Sequence, residues 1–513
     1  MKHHAIRATL SALLALGLCM PAFAATITVT STDDTVTPLD GKVTLREAIT
    51  SINAGNSLGD ADIIGQTSGV YGVDDTIHFN IAGAGVKVIT TTATMTPIYK
   101  TVFINGYSQP GSSPNTNAFN AGINAVVLIE IVGMPGNAVL NIIAAGTRVR
   151  GLAIHGGSNL IFGSNVVIAG NFLGTDASGT TALGLIGSGV CVQVGSFGST
   201  PASNVVIGGP NDADRNLIVS SGNGVVLPFH SSHPGPGTGY VIQGNYIGTD
   251  ITGTVALARG DGLNAISNAL VVGNLISGNP LGGMVLTDDN VVHGNLIGTA
   301  LDGVSPMPNG NFGGIWILGG NSTIGGVGPG EANVIANNQS YGIVIYNAYA
   351  DSSQVNTRNR FSRNSIHTNG QLGISLNYSQ LILPNDTGDG DSWANNLIGN
   401  DGQNYPVLTS ALLGSGNVSV SGTLNSIASS AFTLEFFANA VCDASGYGQG
   451  QTYIGKADVS TNASGNANFG PLTFAIPANQ RVITSTATDA AGNTSEFSKC
   501  TNNDGIFFDG FDS

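Results

Sequence analysis

Cysteine is scarce in this 513-residue chain, with four in all, which excludes a disulfide-dense scaffold. No His or second Cys stands at zinc-ligand spacing from any of them. Charge is scarce as well: Asp, Glu, Lys and Arg make up 9% of residues, against roughly a quarter in an ordinary globular protein. Positive charge is scarcest, with 16 Lys and Arg against 31 Asp and Glu. Nucleic acid and anionic membrane surfaces both reward clustered Lys and Arg, so neither is expected as a partner. No apolar run reaches the ~20 residues of a membrane-spanning helix. Helical periodicity is nearly absent, which excludes a helical solenoid. The chain carries no P-loop, no dinucleotide fingerprint, and no Gly-x-Ser-x-Gly elbow with an ordered Asp and His.

What is abundant is glycine, 74 residues, alongside a 42% apolar fraction rich in Val, Ile and Leu. Such a chain can build a core, but from short strands joined by tight turns. Its start reads as a leader. Lys2 and Arg7 precede the apolar run Leu10–Leu18, and Ala22-Phe23-Ala24 is a cleavage pattern, so residues 1–24 are expected to be removed. The remaining 489 residues then carry 14 bases against 31 acids, a net charge of −17. The protein is expected to be exported, extracellular or on the outer cell surface.

A strand, TITVTSTDDTV, is followed by VTLREAITSINAG. Thr44 with Glu47 three residues on makes a capping box, and Leu45, Ala48, Ile49 and Ile52 share one helical face. Residues 25–74 therefore read as an N-terminal strand and a short amphipathic helix. Residues 75–400 are repetitive. VIAGNFLGTDASGT (167–180), VIQGNYIGTDITGT (241–254) and VVHGNLIGTALDG (291–303) are one phrase written three times. Asn171, Asn216, Asn245, Asn274, Asn295, Asn333 and Asn364 recur at intervals of 21 to 45 residues. Segments too short to stand alone gain a core by stacking, with parallel pairing and like residues aligned. Asn at a fixed corner tolerates left-handed geometry and can bond to the Asn of the next coil. The fold class is therefore all-β: a parallel β-helix. Residues 401–500 change to alternating strands at sandwich spacing, an Ig-like β-sandwich. Residues 501–513 form an acidic, aromatic tail. Cys442 and Cys500 fall in the sandwich segment of an exported chain and are expected to pair. Cys191 reads as a buried small hydrophobe.

VTLREAI, the Gly-Asn-x-Ile/Leu-Gly-Thr coils, the NDTGDGD…NNL…QNYPVL junction and LEFFAN…C…GQTYIG…ATDAAGNTSEFSKC together resemble a secreted bacterial family. These are the right-handed parallel β-helix proteins that begin with a Cys-Ser-Leu-Arg-Glu-Ala segment. The resemblance spans nearly the whole mature chain and departs at Val43 and Thr44, which stand where the family has Cys and Ser. It implies a helix over the open end of the solenoid and a surface or secreted location. It implies no activity. The final IFFDGFDS resembles a short tail on exported proteobacterial proteins.

Three functions compete. The first is a non-catalytic, monomeric, adhesin-like protein binding an extracellular carbohydrate or cell-surface ligand. The second is a polysaccharide lyase or glycoside hydrolase, which needs converging carboxylates. The third is a structural envelope component. For the enzyme, Asp288 and Asp289 with His293-Gly294 are similar to a polygalacturonase pattern, but without its Asn-Thr-Asp and Arg-Ile-Lys companions. His293 fills a repeat slot held elsewhere by Ala169 and Gln243. Arg148, Arg150 and His155, and Asp212, Asp214 and Arg215, read as solvated strand faces. Asp176 and Asp250 read as turn residues, since the third copy has Ala300. Asp386, Asp389 and Asp391, with Asn385 and Asn395, offer oxygen ligands for a structural Ca²⁺. No other cofactor is called for.

Overall fold

The computed structural model describes residues 24–72, 74–183, 190–195, 202–227, 237–346, 356–391 and 398–501. The expected leader, the tail from residue 502 and Asn395 lie outside the described residues.

The repeated segments stack into a parallel β-helix of three sheets. Among the described residues, the first sheet has eleven strands, from Thr26–Val29 to Arg360–Ser362. The second has ten, from Lys87–Thr90 to Ser365–His367, and the third nine, from Ala138–Ile142 to Ile374–Ser375. The first strand, Thr26–Val29, is itself a rung: it pairs in parallel with Asp75–Phe79. Register keeps like above like. In the first sheet Ile27, Ile77, Ile104, Val149, Ile168 and Ile207 form one inward row. The row continues through Ile242 to Phe361. Each fully buried aliphatic side chain contributes about 1.5–3 kcal/mol, and only the stack provides that burial.

Glycine is required where coils meet most closely. A Cβ on Gly283 would sit 2.5 Å from the Gly314 carbonyl oxygen, and one on Gly314 would sit 2.8 Å from that of Gly342.

The asparagines form the expected ladder. The backbone N–H of Asn171 donates to Asn216 Oδ1, Asn216 to Asn245, Asn245 to Asn274, and Asn274 to Asn295, at 2.9–3.3 Å. Asn295 and Asn333 continue it to Asn364. The phrase written three times also ends in a self-contained turn. Asp250 accepts from Thr252 Oγ1, Thr254 N–H and Val255 N–H. Asp176 accepts from Ser178 Oγ and Thr181 N–H. Where the third copy has Ala300, Asp302 accepts from Val304 and Ser305 instead.

Both ends of the stack are covered. Helix α1 (Leu45–Ala54) starts at Thr44, whose side chain and that of Glu47 make the reciprocal capping box. It ends at Gly55 in the left-handed conformation. Its buried Leu45, Ala48, Ile49 and Ile52 join the solenoid core beside Ile27. Arg46 fastens it, donating to both oxygens of Asp34 and to the carbonyls of Ala93 and Thr94. A second short helix, α2 (Ala61–Gln66), follows, with Asp60 as its cap.

The C-terminal domain is a small antiparallel sandwich. One sheet holds Val407–Leu413, Asn417–Asn425 and Asn466–Ala475, and the other Thr452–Ser460, Ala431–Asn439 and Val482–Asp489. Cys442 and Cys500 are joined by a disulfide, with their Cα atoms 6.0 Å apart. The sandwich closes the last coil. Glu435 accepts from Ser362 Oγ and the Arg363 N–H, and Thr494 Oγ1 accepts from the Phe361 N–H. Both oxygens of Glu496 accept backbone N–H groups, from Leu376 and Leu383. Ile366 and Gly450 exchange a pair of backbone hydrogen bonds. Backbone groups that the next coil would satisfy are thus satisfied by the sandwich.

Candidate functional site

In the third sheet, inward and outward residues alternate. In the strand Ile315–Ile317, both isoleucines are fully buried in the core and Trp316 points outward. Its row along the sheet is Val285, Trp316, Val344 and Ser375. Three further rings gather on Trp316. Phe312 lies 4.2 Å away centroid to centroid, Tyr346 meets it edge-on at 4.8 Å, and Tyr378 stacks nearly parallel at 5.5 Å with 8° between planes. Tyr341 packs behind Tyr378 at 5.8 Å. The base of this cluster, Tyr341, Val344 and Leu372, is buried, while Tyr378 is 44% exposed. Four rings on one lateral face are a concentration that a chain of 6% aromatic content does not produce by spreading them evenly.

Two polar residues adjoin the rings. Asp261 opens the strand Asp261–Ile266, two coils before Trp316, and is 5% exposed. Its Oδ2 accepts from Asn264 Nδ2 at 3.0 Å, while Oδ1 has no hydrogen-bond partner among the described residues. Burial pushes its carboxyl up to about 6, and the Asn264 hydrogen bond offsets only part of this. A side chain placed at Gly282 would meet both Asp261 Oδ1, at 3.4 Å, and Phe312 Cβ, at 2.9 Å. Asp261 Oδ1 and Phe312 therefore face the same small space at Gly282. Trp316 Nε1 is likewise shielded and without a partner among the described residues.

The residues singled out from sequence lie elsewhere. Asp288 sits in the turn before the strand Val291–His293 and accepts the Gly320 N–H of the next coil at 2.8 Å. Asp289 is exposed with φ at +61°, and His293 stands at the far end of that strand, half-buried, in register with Val272. The strand thus separates the two aspartates from the histidine. Asp386 accepts the Gly390 N–H with both oxygens, and Asp389 accepts from the Asn404 N–H and Ser426 Oγ. Burial pushes the Asp389 carboxyl up to about 6. Among the described residues no group of three or more His, Cys, Asp or Glu side chains is placed to hold a metal ion. Cys191 is buried and free, its thiol pushed up to about 12 by burial.

Arg215 and His155 are not the solvated residues that the sequence suggests. Arg215 is 4% exposed, lies over the rings of Phe119 and Tyr246, and donates to the Asn117 carbonyl and to Asp212. It anchors the 106–127 insertion over the outer face of the second sheet, where Ile123, Phe172 and Leu217 form a separate apolar cluster. His155 is 8% exposed and pairs at 3.2 Å with Glu130, whose other oxygen accepts the Ala177 N–H. An insertion folding back onto its own coil is a non-local event, which strand periodicity does not encode.

Two hollows open on the surface among the described residues. One, of about 660 Å³, lies beside the insertion between Gly122, Ile251 and Asp302. Its Asp302 is engaged by the Val304 and Ser305 N–H groups of its own turn. The other, of about 430 Å³, lies in the seam between solenoid and sandwich, by His367 and Asp443. There His367 Nδ1 bonds Thr368 Oγ1 and Asp443 bonds Gln449, so both side chains are engaged within the protein.

The molecule is a parallel β-helix capped at both ends, with a lateral aromatic cluster. No protein-family model matches the chain, and no curated protein matches it. Among solved structures it is similar to Geobacillus virus E2 ORF18, at 12% identity and a TM-score of 0.32, covering 88% of this chain and 76% of that one. It is also similar to the Dettilon tailspike protein gp208, at 12% identity and a TM-score of 0.25, covering 92% and 94%.

Proposed function

We propose that this is an exported, non-catalytic β-helix protein of the Cys-Ser-Leu-Arg-Glu-Ala type, which binds a carbohydrate outside the cell through the face centred on Trp316. The observation that carries the reading is the ring cluster of Phe312, Trp316, Tyr346 and Tyr378 on the outside of the coil. Inward rows of Ile and Val already build the solenoid core, so the partly exposed rings form a separate lateral cluster. Aromatic surface with a few fixed polar groups is the usual make-up of a small-ligand site, and ring faces suit the C–H faces of sugars. The acid and histidine candidates support catalysis poorly, because Asp288 is engaged with the next coil and His293 stands across a strand from it. The disulfide supports an oxidising compartment.

Tyr378→Ala tests the assignment by removing the exposed ring while leaving the inward rows intact. Titration of the mature protein against soluble oligosaccharides is expected to show saturable binding that the substitution abolishes. Unchanged binding by Tyr378→Ala would move the site elsewhere.

A further inference from the structure

The aromatic face carries a second signal, which bears on the ligand provided that this face is the binding site. We propose that Asp261 and Asn264 form the polar half of the site, and that its ligand is a neutral, hydroxyl-bearing glycan and not a polyuronate.

Buried polar atoms are almost always paired, and an acceptor left bare in the interior costs about 1–3 kcal/mol. Asp261 Oδ1 is such an acceptor among the described residues, on a side chain only 5% exposed. Trp316 Nε1 is such a donor. The ring cluster thus has one unpaired acceptor beside Phe312 and one unpaired donor on Trp316, both shielded among the described residues. A sugar hydroxyl both donates and accepts, so hydroxyl chemistry suits either atom. Asn264 Nδ2 donates to Oδ2 of the carboxylate, which leaves Oδ1 as its unpaired atom among the described residues.

Charge decides between ligand classes. Among the described residues no Lys or Arg takes part in the ring cluster, and no guanidinium or ammonium offsets the burial of Asp261. A uronate brought to this carboxylate would meet like charge in a protein of net charge −15. A quaternary ammonium would suit rings and carboxylate, but it needs a gap between rings. Here the rings pack directly on Trp316 at 4.2–5.5 Å, one stacked and two tilted or edge-on, and form no cage among the described residues. The unpaired indole N–H also gives a cation nothing.

The test uses the mature full-length protein and calorimetric titration with cellohexaose, mannohexaose, chitohexaose, hexagalacturonate and choline chloride. At least one neutral hexaose is expected to bind, with hexagalacturonate and choline silent. Asp261→Asn keeps the shape but replaces an anionic acceptor, and about tenfold weaker binding is expected, equivalent to ~1.4 kcal/mol. Asn264→Ala frees Oδ2 and is expected to weaken binding in the same direction, and each variant is compared at matched thermal stability. Tighter binding of hexagalacturonate or of choline overturns the neutral-glycan assignment but leaves a binding face in place. Neutral binding that survives both substitutions while failing in Tyr378→Ala overturns the role of Asp261 and Asn264 alone. Silence of all five ligands overturns this assignment together with the reading it rests on.

Discussion

Asn295 shows how much of this molecule is decided by single side chains. Its Oδ1 accepts the Asn274 N–H, and its Nδ2 donates to the carbonyls of Val271 and His293 and to Asn333 Oδ1. Asn295→Ala leaves the buried Asn274 N–H and two carbonyls short of a partner. We expect a loss of about 2–4 kcal/mol, read as a lower urea midpoint, because each bare buried group costs about 1–3 kcal/mol. A loss under about 0.5 kcal/mol would show that the ladder is ornamental. This ladder was legible in the sequence because its asparagines sit in a repeated phrase. A second was not. Asn279, Asn309, Asn338 and Asn369 bond in the same manner, 30, 29 and 31 residues apart. No common phrase flanks all four, so the spacing is what marks them. The ring cluster was illegible for a related reason. Phe312, Trp316, Tyr346 and Tyr378 are spread along the chain, and only the stacking of coils brings them together. Its one sign in the sequence was a Trp in an outward slot between two inward isoleucines.

At the scale of elements, the two caps differ in how they are encoded. Helix α1 is local: its capping box and apolar face are both contained in VTLREAITSINAG, and both form as the spacing predicts. The sandwich reads correctly as a sandwich, but its docking is long-range. The second asparagine ladder ends on it, where the Asn369 N–H donates to Gln449 Oε1. A third ladder, Asn290, Ser322, Asn359 and Asn400, ends in the Asn400 donation to the Thr494 carbonyl. Glu496 makes this junction sensitive to pH. Burial raises its carboxyl from 4.5 to about 7, with the Leu376 and Leu383 N–H groups partly opposing. A folded-state value above the unfolded one gives stability that is full below about 4.5 and lost as pH rises through about 7. The shift corresponds to the order of 3 kcal/mol. Asp261 and Asp389, both raised to about 6, act in the same direction. Melting temperature is therefore expected to fall between about pH 5 and 8, and to fall less in Glu496→Gln. Parallel curves for the two proteins would remove Glu496 from the account.

The whole molecule is a rod of quasi-repeated coils that must be closed at both ends to be stable. The capping helix closes one end, and the sandwich closes the other, with Cys442–Cys500 fastening the segment that carries Glu496 and Thr494. Among the described residues no helix is long and apolar enough to cross a membrane. The composition of the chain, poor in charge and rich in Gly and Asn, follows from stacking: close coil approach needs Gly, and corners need Asn. The proposed binding face, the rings on the third sheet with Asp261 near them, lies outside the rows that build the core. The most direct measurement is one incubation of the mature protein with insoluble and soluble polysaccharides, scored for retained protein and for released reducing or unsaturated ends. The account predicts retention on a neutral polysaccharide, lost in Tyr378→Ala, with no ends released. Release of new ends at a rate abolished by Asp288→Asn or His293→Ala would contradict it.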